Sequence, residues 1–138
     1  MKGSGTQLRT QQGYDMTFGV NHFGHFLLTM LLLDRLKKCT PSRIVTVSSK
    51  NYIWVKSRDD LDFTSKDKSG LKYPGLKGYD RSKLANILFT KHLSKQLEGT
   101  GVTAVSLHPG LVRTNIFQTA YENGASLFRF GLMTLAST

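Results

Sequence analysis

Apolar residues recur at helical spacing in two long stretches of the chain. The first covers residues 14–38, where the apolar face is broad enough to predict a long, mostly buried helix. Its middle contains weak helix formers, so either neighbouring elements approach closely at Gly19 and Gly24, or Asn21 and its backbone serve a purpose. The second stretch, residues 79–97, predicts an amphipathic helix that ends at a glycine, Gly99 or Gly101.

Two short runs of β-branched residues predict buried strands at residues 43–49 and 102–107. A strand, a helix and a strand in this order imply a right-handed parallel crossover, so the fold class is α/β. The first strand ends at Ser48 and Ser49, at the carboxyl end where open α/β sheets bind ligands. The alternative is that the two serines only terminate the strand.

Three segments show no strong periodicity of apolar residues. Residues 1–13 are polar and predict a flexible lead-in, with no fixed structure before about Gly13. Residues 50–77 predict a long surface excursion. The apolar residues 127–133 are compatible with a substrate pocket, a membrane contact or a core helix, and the sequence leaves all three open.

Composition excludes some classes of protein. The chain has 138 residues, enough for one domain, and its 19 Lys and Arg against 9 Asp and Glu give a net charge of +10. The cations are dispersed among acids, which argues against nucleic-acid binding. The single Cys39 excludes an internal disulfide and a cysteine-built metal site. No apolar leader opens the chain and the longest apolar run, residues 26–33, is too short to span a bilayer, so we expect an intracellular protein.

Tyr79 and Lys83 are the candidate proton-transfer pair. Residues four apart share one face of a helix, so the hydroxyl and the ammonium can point into one site. One cation about 4 Å away, at an effective dielectric of about 20, favours a phenolate by roughly 4 kcal/mol. That is enough to make a tyrosine useful as a general acid or base near neutral pH. An ordinary surface pair is the alternative, and the spacing alone does not decide between them.

No metal site is predicted. His22 and His25 have a spacing that allows a metal pair, but no third ligand lies near them in sequence, so partly buried, hydrogen-bonded histidines are the better interpretation. The acidic cluster at residues 59–62 is better interpreted as a solvated face.

Four separated segments, taken in order, resemble motifs of the short-chain dehydrogenase/reductase family, and their flanks resemble its retinol-dehydrogenase-like branch. They are Phe-Gly-Val-Asn-His-Phe-Gly-His-Phe at 18–26, Ser-Arg-Ile-Val-Thr-Val-Ser-Ser at 42–49, Tyr-Asp-Arg-Ser-Lys-Leu-Ala-Asn at 79–86, and Leu-His-Pro-Gly-Leu-Val-Arg-Thr at 107–114. The resemblance covers residues 13–117. It implies an incomplete Rossmann-like domain, that is, part of a doubly wound parallel sheet that contains the two predicted strands and long helices.

The resemblance also implies roles for individual residues. Tyr79 would be the general acid/base, and Lys83 would favour its phenolate form and hold the nicotinamide ribose. Ser49 would hydrogen-bond the substrate oxygen as charge develops on it. Asn21 would hold, through its main-chain carbonyl, a water that links Lys83 to solvent. The segment that contacts the nicotinamide amide and the diphosphate would comprise Pro109, Gly110, Val112 and Thr114.

The implied reaction is the interconversion of a lipophilic alcohol, retinol-like or steroid-like, and its carbonyl compound with NADP(H), which is favoured over NAD(H). The residues that select between the two cofactors are absent from this sequence, as is the family's glycine-rich turn. Gly3-Ser4-Gly5-Thr6 does not replace that turn, because no strand precedes it.

Residues 14–138 are therefore expected to be a partial catalytic domain, truncated at both ends. We expect the chain alone to be inactive and marginally stable. A full-length form with an anchor would place it on the cytosolic face of an organelle membrane. The alternative is a non-catalytic isoform or remnant that acts through protein association, including self-association.

Overall fold

The computed structural model describes residues 9–56 and 76–110. The chain divides into two compact units, residues 1–108 and 109–138, and every helix and strand described below lies in the first. A continuous helical run comprises α1 (Met16–Phe18), a π-helical segment (Gly19–Gly24) and α2 (His25–Lys38). It is followed by β1 (Ser42–Val47), a 3-10 helix (Lys50–Trp54), α3 (Leu76–Gln96) and β2 (Val102–Leu107).

The two strands form a parallel sheet in which Ile44 pairs with Ala104 and Val47 pairs with Leu107. The predicted parallel pairing is confirmed, and α3 lies in the connection between the strands. β2 has the predicted bounds, whereas β1 ends two residues before the predicted Ser49. Ser48 still donates its backbone N–H to the Leu107 carbonyl at 2.7 Å, after which the chain turns into the 3-10 helix.

One face of the sheet carries the core. Leu93 of α3 and Leu97, which directly follows that helix, pack against Val102 and Ala104 of β2, and all four side chains are buried. Partly buried apolar residues from α2, β1 and α3 surround this cluster: Leu33, Leu36, Ile44 and Phe89. Both long helices therefore cover the same side of the sheet.

The opposite face of the sheet is exposed among the described residues. Side chains alternate between the two faces of a strand, and the outward set here includes four apolar residues beside the Arg43 and Thr103 pair: Val45, Val47, Val105 and Leu107. A parallel sheet normally has helices on both faces. The one-sided arrangement is that of an incomplete Rossmann-like α/β fold, as predicted.

The prediction that the first long helix is mostly buried is wrong for α2. None of its residues is buried, and Leu31 is 72% exposed. The physical reason is that α2 reaches the core through Leu33 and Leu36 and contacts Phe89 through Phe26, and the other described elements leave most of its remaining apolar side chains exposed. Apolar spacing predicted the helix correctly, but spacing alone does not say whether a covering layer is present.

The helical run Met16–Lys38 is 23 residues long and apolar enough to cross a membrane by length and composition, although the sequence predicted no bilayer-spanning segment. Core helices of soluble proteins meet the same two criteria. Here Leu33 and Leu36 pack against the sheet.

A turn precedes the helical run, in residues for which we expected no fixed structure. Thr10 donates its backbone N–H to the Tyr14 carbonyl at 2.8 Å, and Asp15 caps α1 by accepting from the Phe18 N–H at 2.8 Å. A Cβ on Gly19 would lie 2.7 Å from Cγ2 of Thr10, so the predicted close approach occurs at this glycine. A Cβ on Gly24 would meet its nearest neighbour at 3.7 Å, an ordinary contact.

We expect Leu93→Ala to lower the free energy of unfolding by about 2 to 5 kcal/mol, because it leaves a cavity between α3 and β2. The matched control is Leu31→Ala on exposed α2, for which we expect a change within about 0.5 kcal/mol. Urea denaturation followed by circular dichroism measures both. Equal losses in the two variants would contradict the assignment of the core to this side of the sheet.

Candidate active site

Polar side chains from three elements meet at the carboxyl end of β1. Ser48 and Ser49 leave the strand there, α3 passes with its first turns, and the π-helical segment lies against α3. α3 begins at Leu76, three residues before the predicted start, so that Tyr79 lies in its first turn and Lys83 one turn later.

Tyr79 and Lys83 share one face of α3, as their spacing predicted. The Lys83 ammonium lies 5.3 Å from the centroid of the Tyr79 ring. Its Nζ donates to the main-chain carbonyl of Val47, the last residue of β1, at 3.1 Å. Desolvation lowers the pKa of Lys83 below the ordinary value for lysine. The cation is therefore held beside the tyrosine by a backbone acceptor in a partly dehydrated position.

The two serines are both buried and have different partners. Ser48 Oγ donates to the main-chain carbonyl of Lys83 at 2.8 Å, which ties β1 to α3. Ser49 Oγ accepts from the Asn51 N–H at 3.3 Å and caps the 3-10 helix. Because the Ser49 oxygen accepts in this contact, its own proton is left for another acceptor. Ser48 is engaged in structure, and Ser49 retains the donor that its expected role requires.

Asn21 lies in the π-helical segment, at the weak helix formers in the middle of the predicted long helix. Such wide turns are rare and are frequently found at functional sites. The Asn21 side chain donates to Ser82 Oγ at 3.2 Å, and Ser82 Oγ donates to the Tyr79 carbonyl at 2.7 Å. Asn21 is thus linked to the turn of α3 that carries Tyr79.

The main-chain carbonyl of Asn21 also has partners. It accepts from Nδ2 of Asn86 at 3.2 Å and lies 3.0 Å from Nδ1 of His25. The role expected of this carbonyl, holding a water for Lys83, stays a prediction. The described hydrogen bonds show that protein donors already fix its position.

Asn86 is a residue whose role the sequence argument missed. Its side chain is 1% exposed and lies between Asn21, Val47 and His22. A signal was available, because Asn86 is one turn beyond Lys83 and interrupts the apolar positions Ala85 and Ile87. A buried amide must be hydrogen-bonded, so a polar residue on that face indicates partners from other elements.

His22 is half-buried among aromatic rings, with ring centroids 5.2 Å from Phe18 and 6.2 Å from Phe89. Its Nδ1 lies 2.9 Å from Oδ1 of Asn86. Burial lowers the pKa of His22, while the hydrogen bond with Asn86 acts in the opposite direction and the charge of His25 lowers it further. His22 matches the interpretation as a hydrogen-bonded, partly buried histidine, whereas His25 is exposed.

The remaining candidate residues follow β2. Pro109 and Gly110 open the second compact unit, and Gly110 has a φ of +76°, a backbone conformation that favours glycine. Val112 and Thr114 lie outside the described residues, as do the acidic residues 59–62. Residues 9–56 and 76–110 contain no group of three side chains able to hold a metal ion.

Comparison with known proteins agrees with this geometry. Residues 63–125 match the family model described as short chain dehydrogenase. The chain is 54% identical over 109 residues to Retinol dehydrogenase 14 from Homo sapiens, a region that is 79% of this chain and 31% of that protein. The chain belongs to the short-chain dehydrogenase family.

Other members of the family show the same likeness. The chain is 49% identical over 107 residues to Retinol dehydrogenase 13 from Homo sapiens, which is 78% of this chain and 31% of that protein. It is 47% identical over 114 residues to Retinol dehydrogenase 12 from Mus musculus, 82% of this chain and 34% of that protein. The predicted resemblance to the retinol-dehydrogenase-like branch is confirmed, and the chain spans about a third of the length of these relatives.

The family implies a nicotinamide dinucleotide, and the described donors fit one end of it. An ammonium carries three donors, of which the Val47 carbonyl uses one, so Lys83 keeps donors for ribose hydroxyls. Tyr79 is only half-buried, which leaves its surface open to a ligand. These residues suit the nicotinamide-ribose end of the cofactor.

The buried position of His22 predicts a loss of stability in mild acid. The unfolded chain binds a proton at about pH 6.5, whereas the folded chain binds it at lower pH, so the free energy of unfolding falls as the pH drops from about 7 to 5. His22→Gln should make that decline shallower.

The control for this variant is His92→Gln, which makes the same substitution at an exposed position on α3, away from the candidate site. Urea denaturation at several pH values measures the effect. A decline in His22→Gln as steep as in the parent would contradict the assignment.

Proposed function

We propose that residues 14–138 form the catalytic part of an NADP(H)-linked oxidoreductase that interconverts a lipophilic alcohol, retinol-like or steroid-like, and its carbonyl compound. The observation that carries the proposal is the Tyr79 and Lys83 pair on one face of α3, at the end of β1 where Ser49 is buried. Membership of the short-chain dehydrogenase family supports the reaction class, and the names of the matched retinol dehydrogenases support a lipophilic alcohol.

The proposed chemistry assigns one role to each side chain. In the direction of reduction, the Tyr79 hydroxyl gives its proton to the substrate oxygen, and in oxidation the phenolate takes it back. Ser49 donates a hydrogen bond to the same oxygen while it carries partial negative charge. Lys83 stabilises the phenolate through its positive charge. The electrostatic interaction between the two groups is stronger in this partly desolvated position than in water. The bound nicotinamide supplies or accepts the hydride.

Cofactor contacts are part of the proposal. Lys83 and Tyr79 would contact the nicotinamide ribose, and the family resemblance implies further cofactor contacts at Asn21, Pro109, Gly110, Val112 and Thr114. The choice of NADP(H) over NAD(H) rests on the likeness to the retinol-dehydrogenase-like branch. The 138 residues contain no glycine-rich turn of the family's pattern, so we propose that this chain by itself is inactive and binds the dinucleotide weakly.

A second candidate function is favoured by the exposed apolar surfaces. The outward face of the sheet and the side of α2 at Leu27 and Leu31 are open in the described part of the chain. A non-catalytic form that associates through these surfaces would give a defined complex in size-exclusion chromatography and cross-linking without oxidoreductase activity.

The decisive test uses a hybrid in which the matched segment of human Retinol dehydrogenase 14 is replaced by this chain's own residues. We expect the hybrid to catalyse NADP(H)-linked turnover of a lipophilic aldehyde. Tyr79→Phe removes the transferable proton and should lower kcat by about 10²-fold to 10⁴-fold, while the variant still binds the dinucleotide. Steady-state kinetics and fluorescence titration with NADPH measure the two quantities.

The matched control is Tyr14→Phe, which removes a hydroxyl at an exposed position whose ring packs on Phe23. It should retain the turnover of the hybrid. Normal turnover in Tyr79→Phe would reject the catalytic assignment, and a hybrid that binds NADPH but never turns over would favour the second candidate function.

Calorimetric titration of the 138-residue chain with NADPH tests the proposal of weak binding. We expect little heat of binding at micromolar ligand, because the backbone cradle of a glycine-rich turn supplies much of the affinity for a diphosphate. Saturation in the micromolar range would show that the residues from Asn21 to Thr114 suffice for binding.

A further inference from the structure

We propose that Asn86 is a positioning residue for Lys83, and that His22 fixes the Asn86 amide in the orientation this requires. The inference deepens the proposed function and rests on it, since Lys83 matters because of its place beside Tyr79. It assigns a task to two side chains, neither of which belongs to the tyrosine, lysine, serine and asparagine set expected from the sequence.

The orientation of the Asn86 amide follows from its partners. Its nitrogen lies 3.2 Å from the main-chain carbonyl of Asn21 and 3.4 Å from that of Val47. Two carbonyl oxygens can be satisfied only by the two donors of an NH₂ group, so the nitrogen must face the backbone and the oxygen must face His22. An inverted amide would place oxygen against two oxygens in a buried site, at a high desolvation cost.

His22 is then restricted to one neutral tautomer. Because Oδ1 of Asn86 is an acceptor, the Nδ1 atom of His22 at 2.9 Å must carry the proton. The aromatic rings of Phe18, Phe26 and Phe89 surround the imidazole and hold its plane. His22 therefore donates to the amide from a fixed direction, and the amide cannot rotate without breaking this bond.

The link to Lys83 is a shared acceptor. The Val47 carbonyl accepts from Nζ of Lys83 at 3.1 Å and from Nδ2 of Asn86 at 3.4 Å. A carbonyl oxygen has two lone pairs, so both donors can be accommodated. The Asn86 side chain has few alternative conformations because it is buried, whereas the Lys83 side chain has four rotatable bonds and many possible conformations. The amide thus orients the last carbonyl of β1 toward α3, and the ammonium binds to an acceptor that is already in place.

The Asn86 side chain also fixes the π-helical segment from the other side. Its bond to the Asn21 carbonyl joins residues 65 positions apart in the chain. A single amide thereby connects β1, α3 and the π-helical segment at the site. If its role were only to fill space, an apolar residue of similar volume would replace it without effect on Lys83.

The test compares the acylation rate of Lys83 with that of Lys91 in the intact 138-residue chain, by brief labelling with acetic anhydride at fixed pH and mass spectrometry. Lys91 is exposed on the same helix and serves as the internal reference. Asn86→Leu keeps the branched shape of the side chain and removes the amide, so we expect the Lys83 to Lys91 ratio to rise by about threefold to tenfold, as for the loss of one hydrogen bond. An unchanged or lower ratio would overturn the proposal.

Two further variants separate positioning from packing. Thr90→Val removes another buried hydrogen bond of α3, which Thr90 Oγ1 donates to the main-chain carbonyl of Asn86 at 2.8 Å. This variant should leave the Lys83 to Lys91 ratio unchanged. His22→Phe keeps an aromatic ring but removes the donor that fixes the amide, so it should raise the Lys83 to Lys91 ratio. His22→Gln retains a donor, so its ratio should equal that of the parent chain. These two variants decide the question if Asn86→Leu does not fold.

A spectroscopic readout completes the experiment. In ¹⁵N-labelled chain at neutral pH, His22 should show a protonated Nδ1 and an unprotonated Nε2, and Asn86→Leu should shift the imidazole toward the Nε2-protonated form. An Nε2-protonated His22 in the parent chain would overturn the proposal. Neither readout requires turnover, so an inactive hybrid with the expected labelling would reject the proposed function and leave this inference standing.

Discussion

The packing of α3 along the sheet is the interaction on which the rest of this structure depends. Leu93 of α3, and Leu97 directly after the helix, supply the apolar contacts and are buried on Val102 and Ala104 in the first half of β2. The first half of α3 supplies the polar contacts, in which Ser82, Lys83 and Asn86 reach the π-helical segment and the end of β1. One helix therefore contributes side chains to both the core and the candidate site. A shift of α3 along the sheet would disturb both at once.

Desolvation connects the stability of the site to its chemistry. Burying part of an ammonium costs free energy, and a single neutral carbonyl at 3.1 Å compensates only some of it. The same burial strengthens the electrostatic effect of Lys83 on a neighbouring phenolate. The buried His22 and Asn86 side chains add hydrogen bonds where an apolar core would have none. Burial of these polar groups lowers the local stability relative to an apolar core, and their hydrogen bonds give the side chains at the site a defined orientation.

Local features of this fold were predictable from the sequence, and features that join distant segments were not. The bounds of β2, the existence of α3 and the common face of Tyr79 and Lys83 follow from spacing and propensity, which operate over a few residues. The π-helical segment was missed, because its hydrogen bonds to α3 link residues 61 to 65 positions apart. The exposure of α2 was missed for a similar reason: a periodic pattern shows which face is apolar and leaves open what covers it. Membership of the short-chain dehydrogenase family was recognisable because its motifs are short and ordered along the chain.

The adjacent serines after β1 have a consequence for how the chain tolerates change. Consecutive residues leaving a strand point to opposite sides, and here one hydroxyl locks α3 in place while the next begins the 3-10 helix. Insertion or deletion of one residue within β1 would exchange their directions even though the Ser-Ser sequence survived. The function of each serine therefore depends on the register of β1. The number of residues between the Ile44 and Ala104 pair and the two serines is constrained as strictly as the identity of either serine.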